Sequence, residues 1–154
     1  MNASEVFAPV EEPRRIVEAF IAARNAQDHE QARALLSPEL EWVVSPSSGT
    51  PLHGEQARNA LVGGLSNKLV RPNSERRTIE RITVDGPAVL VEYTIEAVTV
   101  AGRDYHASYC WMYDVLDGCI ARITTYSDSL AGWRAFGEEA VKDGLAAVRN
   151  TANK

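Results

Sequence analysis

A chain of 154 residues, 45% hydrophobic and 24% charged, suits one globular domain built round one core. Sixteen basic side chains against 21 acidic ones leave a net charge of −5 with no basic run, which argues against nucleic acid or an anionic membrane surface as the main partner. No apolar stretch approaches the ~20 residues of a membrane span, and MNASEVFAPVEEP lacks the basic and apolar regions of a signal peptide.

The N-terminal residues 1–12 read as a flexible arm. A first helix is predicted from Pro13, a favourable first-turn residue, with Ile16, Val17, Phe20 and Ala23 recurring at helical spacing to about Ala26. Asp28, with Gln31 three residues on, caps a short second helix that runs through Leu35 and Leu36 and stops at Ser37-Pro38. LEWVVS (40–45) is a short strand, PSSGTPLHG a turn-rich segment, and EQARNALVGGL a third helix after Gly54. Four long strands follow at 76–84, 88–100, 105–115 and 119–127, separated by Asp85-Gly86, Ala101-Gly102 and Asp117-Gly118, which marks an antiparallel meander. A last helix opens near Asp128-Ser129 and is expected to bury Leu130, Trp133, Phe136, Ala140, Val141, Leu145 and Val148. Residues 13–149 thus form a single α+β domain and 150–154 a frayed end. Cys110 and Cys119, on the two arms of one hairpin, would lie six residues apart along it, about 20 Å at roughly 3.3 Å per residue. That is too far for a disulfide, so both are expected to be free thiols in a reducing, cytoplasmic setting.

The order helix, helix, strand, helix, four strands, helix resembles the nuclear transport factor two-like superfamily, in its SnoaL-like and ketosteroid-isomerase-like branch. The resemblance is carried by Gly54 to Ala60 opening the third helix and by the closing hairpin YCWMYDVLDGCIARITTYSD, which ends in Tyr126 and Asp128. It spans roughly residues 14 to 137 and implies a cone-shaped, curved, antiparallel (mixed) β-sheet with three to four helices packed on one face. It also implies a homodimer, and a cavity used for isomerases, epoxide hydrolases, polyketide cyclases, dehydratases or plain binding.

If Asp117-Gly118 is a two-residue turn, Ile123 faces Met112, Thr125 faces Cys110 and Ser127 faces Ser108. Alternation then puts His106, Ser108, Cys110, Met112, Ile123 and Thr125 on one face. A tight turn at Gly102-Arg103 adds Tyr93 and Ile95 to that face. Tyr105, Tyr109, Trp111 and Tyr113 fall on the other. The resemblance places functional acids of relatives at Cys110 and Thr125, so the His106 face is expected to line the cavity. The aromatic face then becomes an exposed stripe suited to a homodimer.

The familiar acids are missing. The isomerase base position is Ser45, before Pro46, the oxyanion tyrosine falls near Ile21, and the oxyanion acid is Cys110. The carboxylate of epoxide hydrolases and cyclases falls at Thr125, so steroid isomerase chemistry is not expected. The expected function is a cofactor-independent acid–base enzyme of the SnoaL-like type. It would be a cyclase, isomerase or hydratase/hydrolase acting on a small apolar carbonyl- or epoxide-bearing, natural-product-like molecule. His106 leads as acid or base because an ordinary histidine titrates near neutrality, with Tyr93 and Asp128 assisting. Trp42, Ser45, His53, Ile95, Ser108, Cys110, Met112, Ile123 and Thr125 are the substrate-binding candidates. No cofactor and no metal is expected, since His53 and His106 lack ligand spacing with carboxylates or thiols. The alternative is a non-catalytic small-molecule-binding or scaffolding module that has lost the family carboxylates.

Overall fold

The computed structural model describes residues 8–46, 49–64 and 69–138. Their elements run α1 (Ala8–Asn25), α2 (His29–Ala34), β1 (Leu36–Val43), β2 (Leu52–His53), α3 (Gly54–Asn59), a π-helical turn (Ala60–Gly64), β3 (Arg76–Asp85), β4 (Ala88–Val98), β5 (Asp104–Leu116), β6 (Cys119–Ser127) and α4 (Ser129–Phe136). The strands form one open mixed sheet in the order β2-β1-β6-β5-β4-β3, with β1 parallel to β6 and every other pair antiparallel. Among the described residues four α-helices accompany it, which is the expected α+β architecture.

Helix α1 starts at Ala8, so Pro13 lies inside it rather than opening it; the proline forfeits one helical hydrogen bond, to the carbonyl four residues earlier. Its Val17, Phe20 and Ile21 are fully or nearly fully buried, and Phe20 meets the Tyr113 ring edge-on at 6.2 Å. Asp28 caps α2 by accepting a 3.0 Å hydrogen bond from the Gln31 amide, as the sequence indicates.

Two local irregularities decide which side chains face the core. Val98 pairs with Asp104, so the β4–β5 connection spans residues 99–103 instead of two. Thr99 closes that loop, accepting the Arg103 amide on its hydroxyl at 3.0 Å. Tyr93 therefore pairs with Tyr109, an odd number of positions from the expected Met112, and the faces of β5 exchange. In the closing hairpin, Asp117 and Gly118 do form the tight turn, with φ of 52° and 74°, as expected where both central residues are left-handed. Yet Val115 pairs with Ile120 while Asp114 pairs with Arg122, so Ala121 is an extra residue, a β-bulge. The bulge carries Thr125 onto Trp111 and Ile123 onto Tyr113.

The inner face thus holds Tyr105, Ala107, Trp111, Tyr113 and Val115 with Val91, Tyr93, Ile95, Ile120 and Ile123, all buried. The aromatic stripe expected outside is the core. His106, Ser108, Cys110 and Met112, expected inside, form the outer face, and the exposed stripe that motivated a dimer is not there.

Helix α4 is capped by Asp128, whose carboxylate accepts from the Ala131 amide at 3.2 Å. Its buried phase is Ala135 with half-buried Ala131 and Phe136, and Phe136 packs on Tyr105 at 4.7 Å. Leu130 and Trp133, expected inside, are 54% and 53% exposed, because the cap sets the helix phase so that residues 131 and 135 face the sheet. Gly137, at a φ of 82°, ends the helix. Ala140, Val141, Leu145 and Val148 lie outside the described residues, as do most of the N-terminal arm and residues 150–154. Among the described residues no helix is long and apolar enough to cross a membrane.

Candidate active site

The centre of the inner face is a connected set of rings. Trp111 lies 6.2 Å from Trp42, 5.7 Å from Tyr93 and 6.1 Å from Tyr113, while Tyr93 and Tyr109 stack at 5.7 Å. These rings fill the interior. Open space lies at their edge, between the C-terminal end of α1, the π-helical turn and the chain entering β3. There a cleft of about 400 Å³, counted out to its open mouth, is lined by Arg24, Arg71, Glu75 and Arg77 against an apolar wall of Val62 and Val70.

Each charged group reaches this cleft for a local reason. Arg24 continues the buried stripe of α1, four residues after Phe20 and three after Ile21. Its guanidinium caps both Phe20, at 5.9 Å, and Trp111, at 5.8 Å. Arg77 sits on the first part of β3. Ile79 pairs with Tyr93 and Arg81 with Glu92, so Glu80 is a bulged residue. That bulge keeps Arg77 and Ile79, before it, on the same inner side as Ile82 and Val84, after it. Arg77 is anchored through its backbone, whose amide donates to Asn25 Oδ1 and whose carbonyl accepts from Asn25 Nδ2, both at 2.9 Å. Its side chain is 4% exposed and forms an ion pair with Glu75, which is 11% exposed.

Burial dominates the proton affinities here. Desolvation first and the neighbouring Arg77 second lower the Arg24 pKa to about 10, with Glu75 working the other way. Desolvation likewise raises Tyr93, Tyr105, Tyr109 and Tyr113 above the ordinary phenol value of 10.0, so all four remain hydrogen-bond donors at neutral pH. The Tyr105 and Tyr109 hydroxyls bond to each other. Buried donors are left over: the indole N–H groups of Trp42 and Trp111, Arg58 Nε and Arg77 Nε have no hydrogen-bond partner among the described residues. Such orphans are rare in folded proteins and mark where water or ligand acceptors belong.

The sequence-derived candidates divide by face. Tyr93, Trp42, Ile95, Ile123 and Thr125 are inner and buried. Thr125 spends its hydroxyl on the carbonyls of Val43 and Val44, which leaves it structural. His106 is outer and 66% exposed, with Glu96 at 3.6 Å, and it meets no inner-face group. Ser108 and Met112 are exposed and Cys110 half-buried on that same outer face. His53 is exposed just ahead of α3 and makes no side-chain cap there. Ser45 is half-buried beyond the end of β1. Asp128 is the cap of α4. Glu80 is exposed and accepts from the Thr94 hydroxyl at 3.3 Å. Arg24, Glu75 and Arg77 were not among the candidates, although two patterns point to them: the α1 stripe Val17-Phe20-Ile21 extends to Arg24, and the Ile79–Ile82 spacing of three breaks strand alternation. Among the described residues no group of three His, Cys, Asp or Glu could hold a metal ion.

Comparison with known proteins agrees with this fold. A provisionally named SnoaL-like polyketide cyclase from Jannaschia sp. CCS1 is 17% identical with a TM-score of 0.72, over 84% of this chain and 94% of that one. An LEH-like epoxide hydrolase from M. tuberculosis is 23% identical with a TM-score of 0.67, over 92% and 98%. An NTF2-like protein from Burkholderia xenovorans LB400 is 22% identical with a TM-score of 0.64, over 82% and 96%. No curated protein matches the sequence. The model of the SnoaL-like domain matches residues 17–123, well over half of the chain, and the protein belongs to that family.

Proposed function

We propose that this SnoaL-like protein is a cofactor-independent acid–base enzyme acting on a small carbonyl- or epoxide-bearing molecule, and that Glu75 is its base. The observation that supports this most directly is the Glu75–Arg77 pair at the inner wall of a cleft that adjoins buried, protonated phenols. Glu75 takes a proton from a carbon beside the substrate carbonyl, or from a water that attacks an epoxide carbon. Arg77 fixes the carboxylate and balances its charge. The Tyr93 hydroxyl, buried beside Tyr113 and kept protonated, donates to the substrate oxygen as negative charge develops on it. In an isomerisation the proton then returns from Glu75 to a different carbon and the enolate collapses back to a carbonyl. His106 has no part in this scheme, because the sheet lies between it and the cleft.

The reading is tested by incubating the protein in deuterium oxide with a panel of enolisable ketones and small epoxides, followed by NMR. Deuterium incorporation or ring opening is expected, and Glu75→Gln should slow it by roughly 10²- to 10⁴-fold while leaving the fold intact. If every ligand that binds emerges unexchanged and unconverted, the protein is a non-catalytic binding module.

A further inference from the structure

The charges around the cleft do not balance. Arg24, Arg71 and Arg77 line it and Glu75 is the one carboxylate among its lining residues, so the site is two positive charges in excess on a chain whose net charge is −5. Glu75 is already committed to Arg77. Among the described residues no carboxylate pairs with Arg24, whose guanidinium rests on the Phe20 and Trp111 rings. Arg24 and Arg77 repel each other across the cleft, and Arg77 Nε–H, on a side chain 4% exposed, points to no acceptor. Holding two guanidinium groups against their mutual repulsion is costly in a partly dry site, and an anion bound between them reverses that cost.

Resting on the acid–base reading of this same cleft, we infer that the substrate is itself a carboxylic acid. Its carboxylate lies between Arg24 and the free Nε–H of Arg77, and its apolar body lies along Val62 and Val70 with the reacting carbon toward Glu75. Arg71, exposed at the mouth, draws the anion in. Guanidinium donors suit a planar carboxylate because two N–H groups can meet two oxygens. The aromatic support beneath Arg24 keeps it in place without using its N–H donors.

The test is calorimetric titration with benzoate, cinnamate and 2-naphthoate, each beside its neutral amide. At least one acid should bind about ten-fold more tightly than its amide, and added salt should weaken it. Arg24→Met should cost that acid at least about ten-fold in affinity, the worth of one charged hydrogen bond. Arg71→Met, at an exposed position that leaves the core untouched, should slow association and reduce the salt dependence. Glu75→Gln should retain or tighten acid binding while slowing turnover by roughly 10²- to 10⁴-fold, which separates recognition from chemistry. The inference is overturned if no acid binds, if acid and amide bind alike, or if a folded Arg24→Met protein binds the acid unchanged. Turnover of neutral ketones without acid binding would sink the carboxylate and keep the enzyme. Acid binding without any turnover would do the reverse.

Discussion

Neighbouring residues on strand β5 lead opposite lives. Tyr105, Ala107, Trp111 and Tyr113 are at most 7% exposed, whereas Met112 between the last two is 39% exposed, and His106 and Ser108 face solvent. The inner residues form one ring network that supports Arg24 and reaches the cleft. The outer ones lie on a face of exposed pairs, His106–Glu96 at 3.6 Å among them and Arg81–Glu92 at 2.5 Å between the two neighbouring strands. Reactivity by residue type favours the outer row, which has the histidine and a thiol. Burial, unpaired donors and an enclosed ion pair all favour the inner one, and these are the physical conditions under which side-chain chemistry departs from its behaviour in water.

Truncation should separate the two faces most sharply. Trp111→Ala removes a ring that touches Trp42, Tyr93, Tyr109 and Tyr113 and supports Arg24, so a loss of about 3–5 kcal/mol is expected. Met112→Ala, one residue away, should cost less than about 1 kcal/mol, because its side chain is already substantially in water. Urea melts of the two variants measure this directly, and equal losses would mean that the outer face is covered in solution, as the homodimer implied by the family resemblance would require.

Alkaline titration gives a smaller signal per residue. Tyr93, Tyr105, Tyr109 and Tyr113 all have phenols raised above 10.0 by burial, so the unfolded chain sheds these protons first. Between that value and the folded pKa the native state binds more protons than the unfolded one, and stability falls as pH rises. The slope is on the order of 1 kcal/mol per pH unit for each such group. Arg24 runs the other way. Held at about 10 when folded, well below its value in the unfolded chain, it favours the native state as pH rises between the two. One arginine against four tyrosines leaves a net loss. Tyrosinate absorbance of these four should therefore appear together with unfolding, and their smooth ionisation in a protein still folded would mean that water reaches the inner rings.

Much of this was legible in the sequence. The four long strands to within about two residues, the Asp117-Gly118 turn and the Asp28 and Asp128 caps follow from local chemistry and stand as read, whereas the first strand runs over Leu36–Val43 rather than 40–45, across the expected helix stop at Ser37-Pro38, and the short strand Leu52–His53 was read as turn. Facing did not, because facing is a parity that one residue reverses. Two such reversals occur, the loop 99–103 and the bulge at Ala121, and they do not cancel for β5: the second returned Thr125 to the inner side, whereas His106 and Cys110 stayed outside. The aromatic content of Tyr105, Tyr109, Trp111 and Tyr113 is itself the stronger signal, since four large rings at alternate positions bury more apolar area than a His-Ser-Cys-Met row can. Hydrophobic burial outranks a turn-length assumption. The charged cleft was harder to see because an arginine in a core stripe, such as Arg24 after Phe20 and Ile21, reads as the end of the stripe until its neighbours in space are known.

The smallest expected effect is the one that separates the two faces functionally. His106 is 66% exposed, and Glu96, its acidic neighbour at 3.6 Å, is 67% exposed. Ion pairs so open to solvent are worth little, so His106→Ala should change stability by no more than about 0.5 kcal/mol. No inner-face group touches His106, and the sheet separates it from the cleft, so deuterium exchange or ring opening of a substrate should proceed at the wild-type rate. A hundred-fold slower His106→Ala protein with an unchanged melt would move the chemistry to the outer face, and Glu75 and Arg77 would then be reduced to a buried pair that holds β3 in place.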